Sequence, residues 1–273
     1  MHQIRLIVSD LDGTLLSADH TLHPDVRQAV NQFMAAGGAF TIATGRPSLT
    51  VRTVADELGI EIPLILCNGS VIADHHEILH MVPLGLEGLL PAIRDADKED
   101  IAVLLFEEEQ ISVLRRSATI DKYEHKEKVR CRVANLTDER WKHASLQKVL
   151  FIGDMDKIQA VWSAHEPTYS QSYATFQSEN DYLEIVPGNQ SKGEAMKRLA
   201  NHMNIDLSQV MAIGNQLNDL DMLLHAGIGV AVNNSHPLLK EKADYVCSQS
   251  YGQGVAEAIA RFCGGGSLRR SLG

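Results

Sequence analysis

The chain has 273 residues, of which 44% are hydrophobic and 22% charged, and its formal net charge is −10. This length and composition suit a globular core that carries a large insertion. The acidic charge argues against nucleic-acid binding, which draws on clustered lysine and arginine. It does not argue against a small phosphate ester, which needs only one local cation and a metal.

The four cysteines show no CxxC spacing, so free thiols in a reducing compartment are expected rather than disulfides or a zinc site. The apolar stretch before Asp10 has only about five residues, too few for a signal peptide or a membrane span. Later segments also fall short of the roughly 18 apolar residues that a span needs. We therefore expect a cytoplasmic protein that binds neither nucleic acid nor membrane, as a monomer or a weak homodimer.

Strands and helices alternate at both ends of the chain. The apolar run 4–8 predicts a strand buried on both faces, and the run 24–36, opened by Pro24, predicts a helix. Further strands are predicted at 39–43, 64–67, 210–213, 229–232 and 245–247, with helices at 49–58, 191–204, 217–225, 237–242 and 255–262. This alternation predicts an α/β fold with a doubly wound, mostly parallel, Rossmann-like sheet.

The pattern changes between residues 84 and 186. Strands predicted at 101–106 and 111–114 enclose an acidic turn and indicate a hairpin, and further strands are predicted at 149–152 and 182–186, with helices at 86–96 and 155–164. Neighbouring strands without a crossover helix indicate an antiparallel sheet. We predict a core domain, 1–83 and 187–273, with an α+β cap domain, 84–186, inserted in it. The glycine-rich stretch 264–267 is flexible by composition, and 268–271 is left out of the fold.

Two carboxylates follow the first strand, in the sequence Asp10-Leu11-Asp12-Gly13-Thr14. Side chains two residues apart on an extended backbone point the same way, so Asp10 and Asp12 can converge at the carboxyl end of the strand. Ligands of open parallel sheets bind at that edge. Two adjacent carboxylates repel each other and require a cation or a proton between them. An Asp-x-Asp pair is common in turns, but its place after an apolar strand and before Gly-Thr favours a site.

Four motifs resemble those of the haloacid dehalogenase superfamily, in its order and spacing. Residues 10–15 (DLDGTL) resemble the first motif, 43–46 (ATGR) the second, Lys192 within 188–193 (GNQSKG) the third, and 214–219 (GNQLND) the fourth. The insertion between the second and third motifs resembles the large cap of the Cof-type phosphatases, as does CNGS at 67–70. The resemblance implies a phosphatase that acts on small phosphorylated metabolites, such as sugar phosphates, flavin mononucleotide or pyridoxal phosphate. The cap would close over the site and select the substrate.

The resemblance also implies a role for each motif residue. Asp10 would be the nucleophile that takes the phosphoryl group, and Asp12 would protonate the leaving alcohol and then activate water. Thr44 would donate a hydrogen bond to phosphate, and Lys192 would neutralise developing charge. Taken singly, a threonine after a strand is a cap and a lysine opening a helix is a surface residue; the motif context favours the functional roles.

Substrate and metal ligands follow from the same resemblance. The substrate-binding set is Leu11, Thr44, Gly45, Arg46, Asn68, Lys192 and Asn218. The expected cofactor is Mg²⁺, with ligands Asp10, Asp12, Asn215 and Asp219. Asp219 could also orient Lys192 or a water bound to the metal.

Asn215 departs from the family pattern, which carries aspartate at this position. An amide oxygen can ligate a hard cation, but it brings one unit less of negative charge, so weaker magnesium affinity is expected. Two rival functions stay open. One is a phosphomutase of the same superfamily, which the long α+β insertion disfavours. The other is a catalytically weakened protein that binds phosphorylated metabolites, a reading that Asn215 motivates and that the intact motif residues disfavour.

Overall fold

The computed structural model describes residues 3–169 and 172–264, and for Lys142 the backbone alone. The stretch 268–271 and all but the first residue of the glycine-rich stretch 264–267 therefore lie outside the described residues. The described chain forms two compact units: unit 1 holds the residues up to Thr44, Arg52–Leu79 and those from Ser191 onward, and unit 2 holds Gly45–Val51 and His80–Gln190. Unit 2 thus includes a segment, Gly45–Val51, that sequence analysis assigns to the core. The predicted division at 84 and 186 into a core and a cap domain stays a prediction.

The strands alternate with helices as predicted at both ends of the chain. In chain order the strands are β1 (Leu6–Ser9), β2 (Ala39–Ile42), β3 (Leu64–Leu66), β4 (Val71–Ala73), β5 (Ile78–Met81), β6 (Leu84–Gly85), β7 (Ala102–Phe106), β8 (Ile111–Val113), β9 (Cys131–Val133), β10 (Ser145–Leu146), β11 (Lys148–Ile152), β12 (Tyr173–Glu179), β13 (Tyr182–Pro187), β14 (Val210–Gly214), β15 (Ile228–Ala231) and β16 (Tyr245–Val246). The helices are α1 (Pro24–Ala35), α2 (Ser48–Leu58), α3 (Leu86–Lys98), α4 (Ala118–Glu127), α5 (Met155–Tyr169), α6 (Lys192–His202), α7 (Leu220–His225), α8 (Pro237–Lys242) and α9 (Tyr251–Cys263).

The sheet of unit 1 is parallel, as predicted. Among the described residues five strands form it, in the order β16-β15-β14-β1-β2. β1 is buried along its whole length, as a central strand covered on both faces must be. Helix α1 packs against α9, and α6 packs against α7. The side chains of α6 and α7 join the sheet in one apolar core that includes Leu6, Val8, Met196 and Met222. The predicted α/β class is confirmed.

The predicted strand at 64–67 has a double role in unit 1. β3 meets the end of β2 through a parallel bridge between Ala43 and Ile65. It also pairs antiparallel with β4, in a small sheet of order β3-β4-β5. Strands β4 and β5, of three and four residues, were not predicted.

Unit 2 contains a mixed sheet in the order β12-β13-β11-β7-β8-β9. Its pairs are antiparallel, including the predicted hairpin of β7 and β8, but β8 and β9 run parallel. The strands predicted for this unit thus pair antiparallel, as expected. β9 was not predicted, and it can run parallel to β8 because α4 lies between the two strands and serves as a crossover. Helices α3 and α5 cover the sheet through a core that includes Leu89, Ile93 and Trp162. In the described part of the chain, no helix is long and apolar enough to cross a membrane.

Candidate active site

The site residues of unit 1 gather at the carboxyl ends of neighbouring parallel strands. Asp10 follows β1 directly and donates its backbone N–H to Ile213 O at 2.8 Å, which ties it to the end of β14. Asn215 follows β14, and Thr44 follows β2 by two residues. All three are buried. The edge at which sequence analysis predicted a ligand site thus carries the predicted residues.

Lys192 opens helix α6 and is buried at the site. Its helix is capped by Ser191, whose Oγ accepts the Glu194 N–H at 3.2 Å. The ammonium donates to Asp10 Oδ1 at 2.6 Å and to Asp219 Oδ1 at 2.7 Å. Because Lys192 is only 1% exposed, these contacts act in a medium of low dielectric constant, where a fixed charge interacts strongly. Lys192 is therefore not a solvated surface residue, which was the alternative interpretation from sequence.

Burial raises the pKa of Asp10 to about 7, with repulsion from Asp219 adding to the effect and the Lys192 ammonium opposing it. Burial alone would lower the pKa of Lys192, but the carboxylates of Asp10 and Asp219 hold it above its usual value. Lys192 therefore stays charged at neutral pH. The carboxylates carry more negative charge than one ammonium neutralises, and this excess favours a proton or a cation at Asp10.

Both oxygens of Asp219 have hydrogen-bond donors. Oδ1 accepts from Lys192, while Oδ2 accepts the backbone N–H groups of Asn215 and Gln216, each at 2.9 Å. Because both oxygens are occupied, the structure favours the orientation of Lys192 as the role of Asp219 over ligation of a metal. Asp219 also fixes the loop that carries Asn215.

Two buried oxygens at the site, Asp10 Oδ2 and Asn215 Oδ1, have no hydrogen-bond partner among the residues that the structure describes. Burying such acceptors without a partner is costly, and carboxylate and amide oxygens are the ligands that Mg²⁺ prefers. Among the described residues, no group of three or more His, Cys, Asp and Glu side chains is arranged to hold a metal, so the predicted site depends on the amide of Asn215. With that amide included, the donor chemistry fits Mg²⁺.

Gly13 makes room for the amide of Asn215. Its φ is +79°, and a Cβ at this position would lie 2.3 Å from Asn215 Nδ2. Only glycine accommodates both the positive φ and the close approach. The glycine of the first motif therefore helps to place the amide of the fourth.

Asp12 lies at the more open side of the site. Its side chain is 39% exposed, and its Oδ1 is 3.3 Å from His20 Nδ1. The turn from Ser17 to Thr21 brings His20 back to the motif, with Ser17 N donating to Thr21 O at 3.0 Å. Sequence reasoning missed this histidine, because no local pattern shows that the turn folds back. Solvent access suits the exchange of protons that is predicted for Asp12.

Thr44, Asn68 and Asn218 form a hydrogen-bonded group. Asn68 donates its backbone N–H to Thr44 O at 2.9 Å, and its Oδ1 accepts from Asn218 Nδ2 at 3.0 Å. Asn68 has a φ of 54°, an uncommon conformation that asparagine tolerates better than most residues. The structure thus brings these three predicted residues together. Leu11 is fully buried. If it contacts the substrate, it would do so through its backbone and not through its side chain.

Gly45 and Arg46 belong to unit 2, unlike the other predicted site residues. Gly45 O accepts a hydrogen bond from Lys148 Nζ at 3.0 Å. Arg46 Nη1 lies 3.4 Å from Glu127 Oε2. Their predicted role in substrate binding stays a prediction. Lys148 was missed by sequence reasoning, although a lysine heading an otherwise apolar strand was a usable signal.

The fold and the buried aspartate–lysine pair define a hydrolase of the haloacid dehalogenase type. The family model described as haloacid dehalogenase-like hydrolase matches residues 7–259, so the chain belongs to this family. The resemblance read from the four motifs is confirmed.

Similar proteins support an enzymatic function. A candidate phosphatase of Streptococcus pyogenes serotype M6 is 30% identical over 266 residues, covering 95% of this chain and 98% of that protein. The pyridoxal phosphate phosphatase YbhA of Escherichia coli is 26% identical over 268 residues, covering 94% and 97%. A crystal structure of a haloacid dehalogenase-like hydrolase from Bacteroides thetaiotaomicron is 28% identical, covers 95% of this chain and 99% of its own, and has a TM-score of 0.86. The chain is a phosphoric monoester hydrolase.

Proposed function

We propose that this phosphatase hydrolyses monoesters of small phosphorylated metabolites through an aspartyl phosphate on Asp10, with Mg²⁺ as its cofactor. The observation that carries the proposal is the state of the Asp10 carboxylate. One oxygen is held by the Lys192 ammonium at 2.6 Å, and the other is buried with no hydrogen-bond partner in the described part of the chain. A carboxylate that is fixed on one side and unsatisfied on the other is prepared to bind an electrophile or a cation.

In the first step, a carboxylate oxygen of Asp10 forms a bond to phosphorus while the bond between phosphorus and the ester oxygen breaks. The leaving oxygen takes a proton from Asp12 and departs as the alcohol. The Lys192 ammonium stays beside Asp10 and balances the charge of the phosphoryl oxygens. Thr44 is the predicted hydrogen-bond donor to one of these oxygens.

In the second step, water attacks the phosphorus of the aspartyl phosphate. Asp12, now a carboxylate, takes the proton from that water, so the acid of the first step is restored. The bond between phosphorus and the Asp10 oxygen breaks, and inorganic phosphate leaves. The exposure of Asp12 to solvent is compatible with this role, in which it gives a proton to the leaving alcohol and takes one from the attacking water.

Asp10, Asp12 and the amide oxygen of Asn215 would hold Mg²⁺, which supplies positive charge against the phosphate oxygens when bound. Burial, followed by repulsion from Asp219, raises the pKa of Asp10. A cation bound there would stabilise the charged carboxylate, which supports this assignment. Asp219 would keep Lys192 and the Asn215 loop in place.

The substrate class follows from the relatives and from the predicted cap. YbhA is named for pyridoxal phosphate, and the motifs resemble those of enzymes that act on sugar phosphates and phosphorylated cofactors. We propose that residues 84–186 determine the selectivity among such substrates.

Replacing residues 84–186 by a short linker should reduce selectivity more than it reduces hydrolysis of p-nitrophenyl phosphate. Equal selectivity with and without these residues would contradict the assignment.

The test of the proposed function is the release of inorganic phosphate from p-nitrophenyl phosphate and from a panel of sugar phosphates, pyridoxal phosphate and flavin mononucleotide. Release with Mg²⁺ that stops with a chelator is expected. A phosphomutase would instead return the phosphoryl group to a sugar, and a binding protein would release none. Absence of release from every monoester at saturating Mg²⁺ would overturn the proposal.

A further inference from the structure

Lys148 is a buried lysine in the sheet of unit 2. It opens β11, where it pairs with Phe106 of β7, and it is 3% exposed. Its ammonium lies 3.0 Å from Glu184 Oε1, a carboxylate of β13 that is buried as well. Lysine and glutamate are rarely buried to this degree. This ion pair therefore stands out among the apolar residues of the sheet.

Stability alone does not account for the pair. Removing two charges from water costs several kcal/mol per ion, and apolar residues of similar volume often stabilise a protein at least as well. What an apolar side chain cannot supply is a hydrogen bond to a third group. Lys148 Nζ makes such a bond to Gly45 O, at 3.0 Å.

Gly45 shares a peptide bond with Thr44, the predicted phosphate-binding residue. Thr44 is fixed in unit 1, because its N–H donates to Ile65 O and its carbonyl accepts from Asn68 N, each at 2.9 Å. Gly45 has no Cβ, so its backbone is the most permissive part of this turn. The hydrogen bond from Lys148 restricts the rotation that would carry the Gly45 carbonyl away.

We propose that Lys148 is a positioning residue for phosphate binding: neutralised by Glu184, its ammonium holds the Gly45 carbonyl and so orients the Thr44–Gly45 turn. Lys148 acts through the backbone and touches no substrate in this role. The inference rests on the proposed function, in which this turn binds the phosphate. It predicts that loss of the ammonium weakens the binding of every phosphate ester alike, because the affected contact is to the shared phosphoryl group.

The test uses variants of the full chain. Lys148→Met/Glu184→Met removes both charges and avoids leaving one buried alone, and Lys148→Met/Glu184→Gln does so with a smaller change at the second position. Glu184→Gln keeps an oxygen that can accept from Lys148 and keeps the bond to Gly45. It leaves the ammonium without its counter-charge, so it should lower Tm while phosphate affinity is retained. Lys157→Met is the matched control, an exposed lysine of the same unit that lies 3.6 Å from Glu99.

Binding of inorganic phosphate by calorimetry and KM for p-nitrophenyl phosphate should both weaken about tenfold in the two double variants, which is about 1.4 kcal/mol. Glu184→Gln and Lys157→Met should stay within about twofold of the parent, a difference below about 0.5 kcal/mol. A folded double variant with unchanged phosphate affinity would overturn the proposal. So would a loss in Glu184→Gln equal to that in the double variants.

These outcomes separate the inference from the proposed function. A parent protein that binds inorganic phosphate without hydrolysing esters would refute the proposed reaction, while the affinities of the variants would still decide the role of Lys148. A parent protein that neither binds phosphate nor hydrolyses esters would refute both.

Discussion

Replacing Asn215 by aspartate should increase the dependence of the protein on magnesium. The Asn215 amide oxygen has no hydrogen-bond partner within residues 3–169 and 172–264, and the residue is 5% exposed. A carboxylate there would lie among the charges of Asp10 and Asp219. At an effective dielectric constant of about 20, two like charges about 8 Å apart repel by about 2 kcal/mol. Without metal, Asn215→Asp should therefore lower Tm by about 4–8 °C.

Magnesium should reverse the sign of this effect. The doubly charged cation attracts the added carboxylate more strongly than either neighbouring carboxylate repels it. We expect the Mg²⁺ concentration for half-maximal turnover to fall about 10–100-fold, which is about 1.4–2.7 kcal/mol, and the gain in turnover to shrink at saturating Mg²⁺. The assays are a magnesium titration of p-nitrophenyl phosphate turnover and thermal unfolding with chelator or with Mg²⁺. Superimposable titrations of the two forms would show that Asn215 is not a ligand.

Three further predictions concern groups around and beyond the site. Gly13→Ala should lower Tm and weaken the response of Tm to Mg²⁺, because the added methyl group meets Asn215 at a positive φ; an unchanged magnesium response would contradict this. Lys192→Met should abolish most turnover and cost about 3–5 kcal/mol of unfolding free energy, since it leaves two buried carboxylates without their cation; a variant as stable as the parent would contradict the buried pair. Hydrogen bonds from Arg116 lower the pKa of Glu124 to about 2, so this stabilisation is complete above the ordinary glutamate pKa and is lost as pH falls towards 2. Glu124→Gln should therefore lower Tm at pH 7 more than at pH 3, and an equal loss at both pH values would contradict the assignment.

The parts of the fold with strong periodicity could be predicted from sequence. β14 is a continuous apolar run and β1 is apolar up to its last residue, Ser9, and α6 opens at a capping serine. Helix α4 could not be predicted, because its buried apolar residues are only Ile120 and Tyr123, among charged neighbours. Whether so weakly amphipathic a segment forms a helix depends on tertiary packing rather than on the local sequence pattern.

Some features of the candidate site could also be predicted from sequence, and others could not. Asp10 and Lys192 lie 182 positions apart in the chain. Their proximity could be predicted from the order of the family motifs, but not from the local sequence around either residue. The double hydrogen bonding of Asp219 and the left-handed backbone of Asn68 depend on the loop geometry that follows each strand. The ion pair of Lys148 and Glu184 had a local signal, since Lys148 heads an otherwise apolar strand and Glu184 lies within another. Nothing in the sequence shows that the two strands are neighbours.

The central claim is that Asp10 is the nucleophile, and turnover by Asp10→Asn tests it most directly. The amide preserves the shape of the side chain but cannot form the aspartyl phosphate. Asp25→Asn, at an exposed position of α1, is the matched control and should retain the activity of the parent. Turnover of p-nitrophenyl phosphate by a folded Asp10→Asn protein should fall by at least about 10³-fold, or about 4 kcal/mol of barrier. Turnover within about tenfold of the parent, about 1.4 kcal/mol, would contradict the covalent mechanism.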